Sequence, residues 1–240
     1  MQFTGESRDD VSAEAGACEA ERSQPASTAR MIFQLREGIK SRSISVVLRL
    51  LTIFCVLLSV ACSSADTIRT ALVNLCDPAK IATLTSDRGA NPRVRKIAYW
   101  LEMARRDGRD PAAEMGEVMV AVGWGGTAKG DLTAGAMVRN RIIAERLGCL
   151  DEVGMADLRG GRAPVIRSGP YTGDKLSVDH IIPRSVCLEL DTTLANLELM
   201  PLAMNREKSA SIGERQVDMA KKFHAAGLLS EAGLDAVLAR

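Results

Sequence analysis

Aromatic residues are scarce: four Phe, two Trp and two Tyr in 240 residues. So few rings argue against a protein that holds single strands by stacking successive bases. They also leave the core to Ala, Val, Leu, Ile and Met, which favours helices over an all-β sandwich. Histidine is scarcer still, with two residues, so a multi-histidine zinc centre is excluded. Neither sign of charge is in excess, since 31 Lys and Arg face 30 Asp and Glu for a formal net charge of +1. A uniformly basic nucleic-acid coat is thereby ruled out, and any anionic partner has to be met by a local patch. The cysteines after Cys62 are Cys76, Cys149 and Cys187, and none belongs to a C-x-x-C pair. They offer no zinc knuckle; in an oxidising compartment they allow one disulfide with one thiol left over, and otherwise read as three small buried hydrophobes.

What is present begins with a leader. Leu50 to Ala61 reads LLTIFCVLLSVA, preceded by Arg36, Lys40, Arg42 and Arg49. That is a basic segment followed by an apolar one, the pattern of a signal peptide. The run falls short of the roughly 20 apolar residues that span a bilayer, although extending it back to Ile44 across Arg49 keeps a membrane anchor open, with a buried core helix as the remaining option. Residues 31–65 are therefore expected to be a signal peptide or lipoprotein signal. Leu58-Ser59-Val60-Ala61-Cys62 resembles a bacterial lipobox, with Ser59 where the family prefers Leu, Val or Ile, so a lipidated Cys62 is a candidate membrane attachment. Residues 1–30 are polar, acidic and rich in Ala and Ser, and are expected to be a non-native or disordered extension with translation starting at Met31. Positive charge ahead of the apolar run predicts that the downstream chain is exported, secreted or lipid-anchored in the envelope.

Downstream, residues 66–157 read as a helical region. Val94, Ile97, Ala98, Leu101 and Ala104 fall at three- and four-residue steps within a helix predicted over Pro92–Arg105. Asp110-Pro111 opens a second helix to about Val122. A third is predicted from Leu132 to Leu147, with Asp131 as its N-cap and Gly148 closing it. Its polar side carries Arg139, Arg141 and Arg146, read as a solvated face or as phosphate contacts. From Leu158 to Leu176 the texture becomes LRGGRAPVIRSGPYTGDKL, a basic loop containing Arg159, Arg162, Arg167 and Lys175. Such a loop can track a phosphate backbone, though polar loops are common.

The informative segment is Ser177-Val178-Asp179-His180-Ile181-Ile182-Pro183, then Asn196-Leu197-Glu198-Leu199-Met200-Pro201, then Asn205-Arg206-Glu207-Lys208. A lone Asp-His pair is more often structural than catalytic. Here the set is ordered: Asn196 follows His180 by sixteen residues, Asn205 by nine more and Lys208 by three more. Val178–Pro183 is β-branched and alternating, as suits a strand. Arg184 to Ala195 forms a loop, Leu197–Met200 a second strand, and Pro201 starts a helix that carries Asn205 and Lys208 on one face.

Together these residues, over about 169–209, resemble the HNH endonuclease motif in the variant ending in Asn, as in the HNH domain of CRISPR effector enzymes. The resemblance implies an α+β fold: a mainly α-helical body with an embedded ββα-metal unit over 158–210, and C-terminal helices over 211–240 packing on it. It also implies that Asp179 and Asn205 are the protein ligands of one Mg²⁺ or Mn²⁺, and that His180 is the general base. Asn196 belongs to the catalytic set as the residue whose amide holds the histidine loop. Arg206, Lys208, Arg184, Lys175 and Arg167 are the implied nucleic-acid contacts, and DNA is a more natural partner than RNA.

One departure matters. Many HNH proteins hold a structural zinc with two C-x-x-C pairs, but those places here read Gly169-Pro170-Tyr171-Thr172 and Pro201-Leu202-Ala203-Met204. No structural zinc is expected, and packing against flanking helices must replace it. Ser211-Ile212-Gly213-Glu214 reads as a capping box for a helix to Ala226, stopped by Gly227, with His224 in its last turn as a dipole partner. The rivals to a nuclease are an HNH-fold module that binds nucleic acid without cutting it and a structural envelope lipoprotein.

Overall fold

The structure is a computed structural model and describes residues 66–208 and 210–240, with Val46 and Arg49. The chain divides into two compact units, Met1–Leu58 and Ser59–Arg240. Within the first, Val46 and Arg49 are helical and exposed. The extension over 1–30, the start at Met31, the leader and the lipobox at Cys62 lie outside the described residues. Among the described residues no helix is long and apolar enough to cross a membrane.

The second unit is α+β and mainly helical. Residues 66–76 form α1, followed by α2 (Pro78–Ala82), α3 (Asp87–Arg106), α4 (Pro111–Ala121), α5 (Ala128–Arg146) and α6 (Glu152–Arg159). The stripe predicted on α3 is its buried face: Val94, Ile97, Ala98, Leu101 and Ala104 are all 0% exposed. An aliphatic side chain buried this fully stabilises by about 1.5–3 kcal/mol. The helix starts earlier than predicted, so Pro92 lies in its second turn. It forfeits one backbone hydrogen bond there, a cost that the buried stripe following it offsets. α4 starts where the sequence predicts, with the Asp110 carboxylate accepting from the Ala112 and Ala113 N–H groups at 3.2 Å each.

α5 begins one turn before the predicted Leu132. Its cap is Thr127, whose Oγ1 accepts from Gly130 N–H at 3.2 Å, and Asp131 instead sits in the first turn, beside the positive end of the helix dipole. Gly148, at φ 66°, ends it in the left-handed conformation that suits glycine after a helix. The helix packs against α3 and α4 and also against the sheet and a C-terminal helix. So surrounded, it has no broad wet face, and the expectation of a solvated arginine row fails at Arg141. Arg141 is buried and donates to Glu102 through Nε and Nη2 at 3.1 and 2.8 Å and to Glu145 at 2.8 Å. Arg139 and Arg146 are exposed.

The sheet has two antiparallel strands, β1 (Leu176–His180) and β2 (Leu197–Pro201), with Leu176 opposite Pro201 and His180 opposite Leu197. β1 ends before the predicted Pro183 because Ile181 leaves the ladder and donates its N–H to Asn196 O at 2.8 Å. The predicted loop from Leu158 also gives way at its start, where α6 extends to Arg159. Leu176, Val178, Leu197 and Leu199 bury one sheet face in the core built by α3, α4 and α5. The outer edge of β2 is closed by Asn140 of α5, which donates to Leu197 O at 2.9 Å and accepts from Leu199 N–H at 2.8 Å. A bare edge there would be open to pairing with another chain.

α7 (Leu202–Lys208) follows β2 directly, then α8 (Glu214–Ala225) and α9 (Glu231–Leu238). The cap of α8 is Gly213 rather than Ser211: the Gln216 side chain accepts from Gly213 N–H at 3.2 Å, while Ser211 Oγ turns back to Lys208 O at 3.0 Å. His224 Nδ1 lies 3.2 Å from Leu229 O and Nε2 lies 3.1 Å from the Glu231 carboxylate, so both nitrogens serve the α8–α9 turn. Phe223, Ala220, Leu229 and Val237 form a second core with Ile182, Leu190 and Ala195. The sheet unit is thus packed on both sides by helices. Cys76, Cys149 and Cys187 are free and buried, and burial pushes the Cys76 thiol up to about 12 and the Cys149 thiol to about 11.

Candidate functional site

The chain leaves β1 at Ile181 and returns to β2 after Asn196, which closes the loop at its base. Asn196 is 0% exposed. Its Oδ1 accepts from Ile182 N–H at 2.8 Å, and its Nδ2 donates to Ile182 O at 3.1 Å and Leu190 O at 3.4 Å. With the Ile181 bond to its carbonyl, one buried residue ties both ends of the histidine loop together.

His180 is the last residue of β1, and its side chain is 11% exposed. Its Nε2 stands 3.0 Å from Asp191 O. A carbonyl only accepts, so Nε2 carries the proton and Nδ1 keeps the lone pair of the neutral ring. Asp191 is buried, and its Oδ1 lies 3.2 Å from His180 Nε2 and 3.4 Å from Arg184 Nε. Neither approach has the geometry of a hydrogen bond, so Oδ1 is a buried oxygen met by nearby charge but by no hydrogen bond. Asp191 is absent from the set read in the sequence. No spacing rule marks it, and nothing in the Leu188-Glu189-Leu190 turn before it sets it apart from its acidic neighbour Glu189.

The opposite sheet face carries Ser177 and Asp179 on β1 and Glu198 and Met200 on β2, with Asp179 directly opposite Glu198. α7 lies across this face. Asn205 Nδ2 donates to Ser177 Oγ at 3.2 Å and to Val178 O at 3.5 Å. Lys208 Nζ donates to Asp179 Oδ2 and to His180 O, both at 2.6 Å. The three-residue helical spacing therefore brings both side chains over β1, as predicted. α7 is anchored by Asp174, whose Oδ2 accepts from Ala203 N–H at 2.8 Å. Backbone N–H groups of Ala203 and Lys175, with the charge of Arg206, hold the Asp174 carboxyl below the usual range.

The basic residues are less uniform than a phosphate-binding row. Lys208 is engaged with Asp179, and Arg184 leans on Asp191 while its side chain stays half exposed. Arg167 pairs with Asp151, away from the sheet unit. Lys175 and Arg206 are exposed. Glu198, also missed in the sequence, accepts from Arg215 at 2.6 Å.

Among the described residues no group of three or more His, Cys, Asp and Glu side chains is gathered as a metal cage. Asp179 and the Asn205 amide form a smaller donor set. Only Oδ2 of Asp179 is taken by Lys208, and the Asp179 side chain is 19% exposed. A carboxylate and an amide oxygen are hard donors, the kind that suits an ion keeping most of its hydration shell, as Mg²⁺ does. Compared with known proteins, the chain matches no family model, no curated protein and no solved structure.

Proposed function

We propose that this chain is an exported, metal-dependent endonuclease of the HNH kind that hydrolyses phosphodiester bonds in DNA. The observation that supports it best is the meeting of Asp179, His180, Asn196 and Asn205 on one β1–β2–α7 unit. His180 Nδ1 takes a proton from the attacking water, while Nε2–H on Asp191 O fixes the ring's angle and tautomer. Asp179 and Asn205 are the residues that would hold Mg²⁺ or Mn²⁺, and such an ion would offset charge growing on the phosphate. Asn196 keeps the loop from relaxing, and Lys175 and Arg206 meet the nucleic-acid backbone. The basic-then-apolar leader supports export, and Cys62 supports a lipid anchor.

A second reading, a module that binds nucleic acid without cutting it, is favoured by Lys208, whose ammonium already balances the Asp179 carboxylate. Incubating the full chain with plasmid separates the two. Cleavage is expected with Mg²⁺ or Mn²⁺, none in EDTA, and less on an RNA substrate. His180→Ala should lower single-turnover cleavage about 10²- to 10⁴-fold with binding retained, and Asn205→Ala should weaken metal activation. Binding without cleavage under either ion, or one tightly held zinc per chain, would overturn the nuclease.

A further inference from the structure

A groove of about 530 Å³ opens beside the outer side of β2, between α5, α7 and the loop ahead of β1. That volume lies within the roughly 300–1,000 Å³ of ligand pockets. Leu147 and Leu199 line it on the side of the core, and Tyr171 and the 39%-exposed Met204 stand nearer to solvent. Its polar lining is three cations, Arg146, Arg215 and Lys208, and one acid, Glu198. Glu198 is already met by Arg215 and Lys208 by Asp179, so the excess positive charge of the lining comes from Arg146. An apolar slot with a cationic border fits a flat apolar group that carries an anion.

Its position narrows the choice. Lys208 and Glu198 belong both to the groove and to the candidate site: one hydrogen-bonds Asp179, and the other stands opposite it across the strand pair. A phosphate at the Asp179 side of Lys208 therefore stands at the border of the groove that Tyr171 lines. Resting on the nuclease reading, we propose that this groove receives one unstacked nucleobase of a single-stranded segment, next to the phosphate to be cut. Scarce aromatic residues exclude stacking along a strand, whereas a single base needs a single ring. Tyr171 supplies the face, and the Met204 thioether follows its outline. The substrate class is accordingly single-stranded or locally opened nucleic acid rather than an intact duplex.

The test uses the full chain in EDTA and two short strands of abasic linkages, one of which carries a single 2-aminopurine. The base should raise affinity about tenfold, within the range for one stacked base, and its fluorescence should be quenched. Tyr171→Ala and Met204→Gln should each abolish both effects while leaving the affinity for the wholly abasic strand unchanged. Equal affinity for the two strands overturns the proposal, as does a base effect that survives both substitutions. So does self-association, or binding to anionic phospholipid vesicles, that Met204→Gln removes without changing the base effect. Plasmid cleavage without base-dependent binding rejects the groove alone, and base-dependent binding without cleavage under Mg²⁺ or Mn²⁺ rejects the nuclease alone.

Discussion

Glu102 in the helical body and Asp191 in the histidine loop are both buried carboxylates, 1% and 6% exposed, in opposite surroundings. Glu102 accepts from Arg105 at 2.8 and 2.9 Å, from Arg106 at 2.8 Å and from Arg141 at 2.8 and 3.1 Å. Asp191 presents a buried oxygen with no hydrogen bond, beside the one histidine of the candidate site. An acid that holds a fold together is saturated with donors, since each unmet buried group costs about 1–3 kcal/mol. An acid whose oxygen has only loose ion-pair approaches, from Arg184 and His180, and no hydrogen bond marks a place where stability is not all that the arrangement serves. Amide substitutions at the two positions turn this contrast into measurements.

The largest effect is expected at Glu102. Glu102→Gln leaves the buried Arg141 guanidinium only the half-exposed Glu145 carboxylate as counter-charge and should cost up to about 3–5 kcal/mol of unfolding free energy. Urea denaturation measures it, and a loss below about 1 kcal/mol would mean that the clasp is ornamental. A second variant, with Leu at both Glu102 and Arg141, should recover much of the loss, because it removes both charges together. The clasp also sets acid behaviour. Burial alone would raise the Glu102 pKa, but the hydrogen bonds of Arg105, Arg106 and Arg141 outweigh it and hold the carboxyl at about 2, against an ordinary 4.5. Because the folded value is depressed, the stability it contributes is complete above pH 4.5 and is lost as pH falls from there toward 2. Wild type should show that acid-labile part, about 3 kcal/mol, and Glu102→Gln should not.

Asn196 sits between the two extremes, because it is satisfied like Glu102 and placed beside the candidate site like Asp191. Asn196→Ala strands the Ile182 N–H and C=O and should cost about 1–3 kcal/mol. Hydrogen exchange should show the loss concentrated in residues 181–196, and cleavage should fall with it. Uniform destabilisation across the second unit would mean that Asn196 braces the core rather than the loop.

How much of this was legible in the sequence depends on the range of the interaction. The α3 stripe, the Asp110 cap and the Gly148 stop are local, written within one or two turns of chain. Asn205 and Lys208 reach β1 because helical spacing alone puts them on one face, and the motif supplied their partners. The fate of Arg141 depends on Glu102, 39 residues away, and that of the β2 edge on Asn140, 57 residues before Leu197. No periodicity encodes such pairs. Thr127 displaced Asp131 as a cap because both are competent and the core decided where the helix starts. Asp191 was invisible for a related reason: only the folded loop buries it.

The smallest change in stability, and the most telling, is expected at Asp191. Asn is nearly isosteric with Asp, so the turn after Leu188–Leu190 should survive, and replacing a carboxylate that has no hydrogen bond and only a 3.4 Å approach from the half-exposed Arg184 should alter unfolding free energy by no more than about 1 kcal/mol in either direction. Cleavage should fall. On the proposed reading His180 Nδ1 would take a proton and the ring would become cationic; the Asp191 carboxylate 3.2 Å from Nε2 would stabilise that charge, whereas a neutral amide would not. A supporting partner of this kind is worth about 10- to 100-fold. The loss should appear in the single-turnover rate at saturating DNA, with affinity and Mg²⁺ dependence unchanged, because neither is built from Asp191. A variant that loses stability as Glu102→Gln does, or that cuts at the wild-type rate, would place Asp191 among the groups that only hold the loop.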